Sequence, residues 1–154
     1  MIYSRSVEYA IRACVYLADV EEGRYAMVKN IAEECNTPMH FLAKILQQLA
    51  RKGFLRSSKG PTGGFALRRQ ANDINLLELV DTIDGLSEYQ RCPGGMAECN
   101  DEAQCGMHDS WKELRERIGH YLEDTSILDL NVAQKKKIAA LSKMKKPRKS
   151  TKKK

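Results

Sequence analysis

No stretch of this 154-residue chain is apolar for long enough to cross a bilayer, so a membrane partner is not expected. The opening residues, Met1-Ile2-Tyr3-Ser4-Arg5-Ser6, lack the apolar centre of a secretory signal. The expected compartment is the cytoplasm, where thiols stay reduced and disulfides are rare. There is no internal repeat, and the length suits one compact domain with an appendage rather than two full domains. Acid is missing from two places. Residues 135–154 carry eleven Lys/Arg and no Asp or Glu, and residues 29–69 carry eight Lys/Arg against only Glu33 and Glu34. The acids are gathered into residues 70–134, fourteen of them against four bases. The formal net charge of +6 hides this division. The internal basic block should face a polyanion, and the acidic block should face away from it.

What is present reads as mainly helical. Val7, Ala10, Ile11, Cys14, Val15 and Ala18 fall at spacings of three and four, which predicts a helix over residues 3–20. A short second helix is predicted over 27–35. Asn36-Thr37-Pro38 makes a turn, with Thr37 as N-cap and Pro38 at the first helical position. A third helix follows over 38–52. Leu42, Ile45, Leu46 and Leu49 form its core stripe, and His40, Lys44, Gln47, Gln48 and Arg51 form its other face. Two short helices with a tight turn and a polar, basic second face match the helix-turn-helix pattern. Alone, they are equally compatible with a solvated face of an ordinary bundle.

Residues 54–69 shift the balance. Two β-compatible arms flank Lys59-Gly60-Pro61-Thr62-Gly63-Gly64, a hairpin tip of turn residues. Arg56, Lys59, Arg68 and Arg69 supply charge for phosphates. Glycines at the tip, Gly60, Gly63 and Gly64, would let its backbone approach another molecule closely. A basic hairpin directly after such a helix is a wing. The expected fold is therefore mainly α with a small β wing, a winged helix-turn-helix followed by a long dimerisation helix.

Four regions are expected. Residues 1–84 form the DNA-binding domain, ending in a helix over 75–84. Residues 85–107 form a cysteine loop. Residues 108–134 hold a long amphipathic helix (109–124) with Trp111, Leu114, Ile118, Tyr121 and Leu122 on one stripe, which a second copy of the chain could cover in a two-fold homodimer. Residues 135–154 read as a disordered basic tail.

Cys92, Cys99 and Cys105 lie in one short segment. Thiolates are soft ligands that suit iron–sulfur clusters, zinc and copper(I). Six residues separate the first pair, wider than the about two to four of a zinc knuckle. The residues alone leave three readings open: an iron–sulfur cluster, a structural zinc, and a metal-free thiol switch. Three cysteines call for a fourth ligand, and His108, three residues after Cys105, is the nearest candidate. Glu8 is its rival if the first helix of a partner subunit meets the loop. Cys14 and Cys35 read as structural. Nothing resembles an oxyanion hole or a general-base arrangement, and the acidic loop disfavours a lowered thiol pKa, so an enzyme is not expected.

The chain resembles the IscR/NsrR family of winged-helix iron–sulfur regulators from about Tyr3 to Asn131. The likeness rests on Tyr9-Ala10-Ile11-Arg12-Ala13, on Phe41-Leu42-Ala43-Lys44-Ile45-Leu46-Gln47-Gln48-Leu49, and on Lys59-Gly60-Pro61-Thr62-Gly63-Gly64-Phe65-Ala66-Leu67. The three-cysteine loop, His108 and Trp111-Lys112-Glu113-Leu114 complete it. The resemblance implies a homodimeric transcription regulator, a repressor by expectation. It would bind promoter DNA under the control of a cluster (2Fe–2S first, 4Fe–4S the alternative) that senses redox state, nitric oxide or iron status. It implies three cysteine ligands with His108 or the partner's carboxylate as a weaker fourth. Thr37, Pro38, His40, Lys44, Gln47, Gln48, Arg51, Arg56, Lys59, Gly60, Thr62, Gly63 and Gly64 are the expected DNA-facing residues. The alternative function is a zinc-bound or metal-free winged-helix regulator that senses thiol oxidation.

Overall fold

A computed structural model describes residues 2–96 and 99–144. The elements run α1 (Arg5–Leu17), α2 (Val28–Glu34), α3 (Met39–Arg51), β1 (Leu55–Ser58), β2 (Gly64–Leu67), a 3-10 turn (Ala71–Asp73), α4 (Leu76–Ile83), α5 (Ser87–Gln90), α6 (His108–Asp124) and α7 (Ile127–Met144). This is the expected mainly α fold with a β wing and a long helix. None of the described helices is long and apolar enough to cross a membrane.

Helix α1 is the hub. Ser4 caps it, its hydroxyl accepting from the Val7 N–H. The Ser4 N–H and hydroxyl in turn donate to Asp84, just past α4, at 2.8 and 2.6 Å. Val7, Ala10, Ala13 and Cys14 are fully buried, and α2, α3, α4, α7 and β2 all pack on α1. Helix α4 starts in a capping box, Asn75 accepting from the Glu78 N–H while the Glu78 carboxylate accepts from the Asn75 N–H.

The wing pairs Leu55 with Leu67 through to Ser58 with Gly64. Ala26 and Phe65 exchange backbone hydrogen bonds at 2.9 Å, which ties the hairpin to the segment before α2. Two of the three tip glycines are required by this chain's own backbone. A Cβ on Gly64 (φ 153°) would lie 2.0 Å from the Ala26 carbonyl oxygen, and one on Gly63 would lie 2.4 Å from that of Ser58. The chain's own backbone is thus sufficient reason for both glycines.

Three local expectations are corrected. The N-cap of α3 is Pro38, and the Thr37 hydroxyl instead donates to the Cys35 carbonyl at 3.2 Å. Arg69 is turned into the structure. Its guanidinium pairs with Glu78 at 2.9 Å, donates to the Asp73 carbonyl and lies 5.6 Å from the centre of the Phe54 ring. Arg69 thus joins wing to α4 rather than offering charge to phosphates. Finally, residues 135–144 belong to α7 and are helical, where disorder was expected from Lys135 onward. The remainder of that tail, 145–154, lies outside the described residues.

Helix α7 forms because its start and its first turns are tied down. The Ser126 hydroxyl accepts from the Asp129 N–H at 3.1 Å, and the Asp129 carboxylate accepts from the Ser126 N–H at 3.0 Å. Ile127 is fully buried, and its N–H donates to the Ile74 carbonyl. At the end of α1, the Asp19 N–H turns to the Tyr16 carbonyl. The Val15 carbonyl is left for the buried Asn131, whose Nδ2 donates to it at 3.1 Å. Partial burial raises the pKa of Asp19. Hydrogen bonds from Lys135 and Asn131 outweigh that and hold its carboxyl below the usual range.

Asn131→Ala is expected to destabilise the fold by about 1–3 kcal/mol, because it leaves a buried carbonyl without a donor. Urea unfolding should show a lower midpoint with an unchanged slope. An unchanged midpoint would mean that the Val15–Asn131 bond does not anchor α7.

Candidate nucleic-acid interface and cysteine site

Leu42, Ile45, Leu46 and Leu49 bury one side of α3. A helical turn of about 3.6 residues then puts His40, Lys44, Gln47 and Arg51 on the opposite side, and all four are exposed. Arg56, Lys59, Gly60 and Thr62 of the wing are exposed as well. Between helix and wing runs an open groove of about 680 Å³, with Gln47 and Arg51 on one bank and Ser58, Lys59 and Gly60 on the other. Lys44, Gln47, Arg51, Arg56 and Lys59 thus share the outer surface of helix and wing.

Two expected residues do not join it. Thr37 is buried under its bond to Cys35. Gln48 is half-buried, and its Nε2 donates to the Thr82 carbonyl of α4 at 2.8 Å. It holds two helices together. Pro38 is exposed at the start of α3, whereas Gly63 is buried and Gly64 half-buried within the wing. The sequence reading passed over Met39 and Phe41, which are 55% and 54% exposed at the first turn of α3. Both lie off the core stripe, which was the available signal.

The cysteine loop brings two of its three sulfurs together. Cys92 is buried. Backbone N–H groups of Met96 and Gly94 lower its pKa most, with smaller help from the Cys105 thiol and the Gly95 N–H. These neighbours shift the Cys92 thiol toward its ionised form, against the acidic sequence nearby. Cys99 is half-buried and turned to a cavity under α6, beside Arg115 and Ile118. No group of three metal-ligating side chains is assembled among the described residues.

His108 is buried at the start of α6, with Nε2 3.1 Å from Asp101 and Nδ1 3.0 Å from Asp109. Both ring nitrogens therefore face carboxylates. Glu8 is half-buried on α1, where its charge reaches Tyr3. Cys14, on α1, and Cys35, at the end of α2, are buried. Burial, with the neighbouring Cys35, pushes the Cys14 thiol up to about 12, so it is inert at neutral pH.

The loop is fastened to α6 at several points. Lys112 Nζ reaches both carboxylate oxygens of Asp101 at 3.0 and 3.1 Å, and its hydrogen bond and charge hold that carboxyl below the usual range. Trp111 Nε1 donates to the Arg91 carbonyl at 3.1 Å. Helix α6 packs on α4, and α4 is bonded to α3 through Gln48. A continuous path of contacts thus leads from the cysteines to the basic helix.

Comparison with known proteins agrees with this geometry. The family described as "Rrf2: Iron-dependent Transcriptional regulator" matches residues 3–133. An Aquifex aeolicus (strain VF5) protein assigned to the HTH-type transcriptional regulators is 33% identical over 138 residues, 88% of this chain and 95% of that one. The HTH-type transcriptional regulator IscR of Vibrio atlanticus is 26% identical over 122 residues, 79% of this chain and 70% of its own. Among solved structures, CymR, the global cysteine regulator of B. subtilis, superposes with a TM-score of 0.70 at 21% identity, covering 84% of this chain and 95% of its own. T. potens IscR follows with a TM-score of 0.66 at 20% identity, covering 82% and 83%. These two likenesses are of fold. The expected resemblance holds, and the protein is a regulator rather than an enzyme: the chain belongs to the Rrf2 family of transcriptional regulators.

Proposed function

We propose that this protein is a cytoplasmic, homodimeric repressor whose grip on double-stranded DNA is set by the state of Cys92, Cys99 and Cys105, with an iron–sulfur cluster as their resident group. The observation that carries the reading is a loop of three cysteines fastened to α6, from which contacts through α4 lead to the basic face of α3. The neighbours of Cys92 also lower its pKa, which suits a soft ligand. The donor set fits the group in chemistry: two sulfurs already adjacent and a third within the same loop. A cluster bound there would supply a centre that responds to redox state, nitric oxide or iron supply.

The chain's own residues do the rest. Lys44 and Gln47 face base edges, while Arg51, Arg56 and Lys59 neutralise phosphates and the wing tip follows the backbone into the minor groove. Asp101, held by Lys112 and His108, anchors the loop to α6. Loosening the loop shifts α6 against α4, and Gln48 passes the shift to α3. Two recognition helices must meet successive major grooves, so a small displacement costs affinity at both half-sites. The dimer is supported by apolar side chains that this chain leaves uncovered: Leu114 (49% exposed) and Tyr121 (47%) on α6.

A second reading is favoured by the hydrogen bond between Cys105 and Cys92. In it the pair works without metal. A peroxide would take two electrons and two protons from the thiols, leaving one disulfide and two waters.

Protein purified without air should show visible absorbance with stoichiometric iron and sulfide, and Cys92→Ser should abolish both. A colourless protein that gains a Cys92–Cys105 disulfide with peroxide would replace the cluster by the thiol pair, and one holding zinc would replace both. Lys59→Ala should weaken binding to all duplexes alike and reduce the slope of log K against log salt by about one. An unchanged slope would remove the wing tip from the phosphate contacts. In sedimentation, Leu114→Glu should convert dimer to monomer, and operator affinity should fall with it. A variant that stays dimeric would move the interface off this face.

A further inference from the structure

The first turn of α3 carries an oddity for a helix in a basic block. Met39 and Phe41 are both more than half exposed, on either side of His40, whose ring centre lies 4.5 Å from that of Phe41. Neither belongs to the core stripe, and no salt bridge among the described residues falls between 39 and 43. Ala43, half-buried, follows one turn after Met39, while Phe41 lies about 160° round the helix from Met39, so the two apolar side chains bracket His40 and Lys44. Exposed Met and Phe at a helix start weaken solubility unless something covers them.

What covers them follows from the surroundings. Beside Met39, Lys29 and Glu33 pair with each other; Lys44 lies one turn beyond Phe41, and Arg51 and Lys59 lie further along the exposed surface of helix and wing, so the occupant is anionic overall. The first residues of a recognition helix are the ones that meet base edges. The one apolar group that those edges present in the major groove is the 5-methyl of thymine. We propose that Met39 and Phe41 are specificity residues that contact thymine methyl groups, so that the protein selects sites with thymines beneath the first turn of α3. This rests on the reading of α3 as the helix that enters the groove. It adds what that helix reads: hydrocarbon as well as hydrogen-bonding edges.

The test uses the full chain and duplexes enriched from a random pool. Each enriched thymine under the helix is replaced by deoxyuracil, which keeps every hydrogen-bonding group and loses only the methyl. Wild-type binding should weaken about fourfold per contacted methyl, the factor for one buried carbon group. The double variant Met39→Ala/Phe41→Ala should bind thymine and deoxyuracil duplexes equally, with the wild-type salt slope and melting temperature. Met39→Leu/Phe41→Leu should restore part of the discrimination. Enriched sites without thymine at those positions would overturn the proposal. So would a wild-type protein indifferent to the methyl, or a double alanine variant as sensitive to it as wild type. The wild-type measurement decides even if a variant fails to fold. Failure to enrich any duplex would instead strike the reading of the protein as a DNA-binding regulator with this interface.

Discussion

The close approach of four helices to α1 is the constraint on which the rest of the structure depends. It is achieved with small side chains. Ala10, Ala13 and Cys14 present little volume, so α3, α4 and α7 can all sit against one short helix. Interiors pack at crystal-like density, and a larger residue on this face would force neighbours apart. Any such shift would move α3, whose outer residues act only if their spacing from the wing is kept. The DNA-facing surface is thus defined from behind, by a face it never exposes.

Polar bonds between elements then set the orientation that packing leaves open. Gln48 joins α3 to α4, Arg69 joins wing to α4, Ser4 and Asp84 join the start of α1 to the end of α4, and Asn131 joins α7 to α1. Each is directional, so each fixes an angle as well as a distance. They also explain why a signal at the loop would not dissipate. Close-packed elements tend to hold discrete arrangements rather than deform continuously, and α4 is bonded on both sides, to α3 and to the α1 terminus.

How much of this was legible depended on whether the deciding forces were local. The stripe Leu42, Ile45, Leu46 and Leu49 and the turn residues 59–64 carry their own periodicity and punctuation, so helix, wing and exposed basic face could all be read. The long helix from residue 108 was read in the same way, within one residue of its observed start. Helix α7 was missed because Lys135, Lys136 and Lys137 looked like a solvated run, while its anchors, Asn131 to Val15 and Lys135 to Asp19, lie 116 residues apart. Gln48 and Arg69 were misjudged for the same reason: a polar side chain on a basic segment says nothing of a partner in another helix. Gly63 and Gly64 were recognised as special, but the backbone they accommodate proved to be that of residues 26 and 58. At the loop the three cysteines could be counted, whereas the contact of Cys105 with Cys92 and the place of Cys99 beside Arg115 and Ile118 could not.

The electrostatic division of the chain has a consequence for the site itself. The acidic block surrounds the cysteines, and by charge alone a thiolate there should be disfavoured. The Cys92 sulfur is shifted the other way because backbone N–H groups of Met96, Gly94 and Gly95 lower its pKa. Lys112 neutralises one carboxylate of the loop, that of Asp101. The acidic surface can therefore keep this half of the molecule away from the DNA backbone while a ligand-competent sulfur persists within it. In the proposed function, regulation and grip would be separated by charge and connected through helix packing, so chemistry at the loop would not compete with phosphate for the same cations.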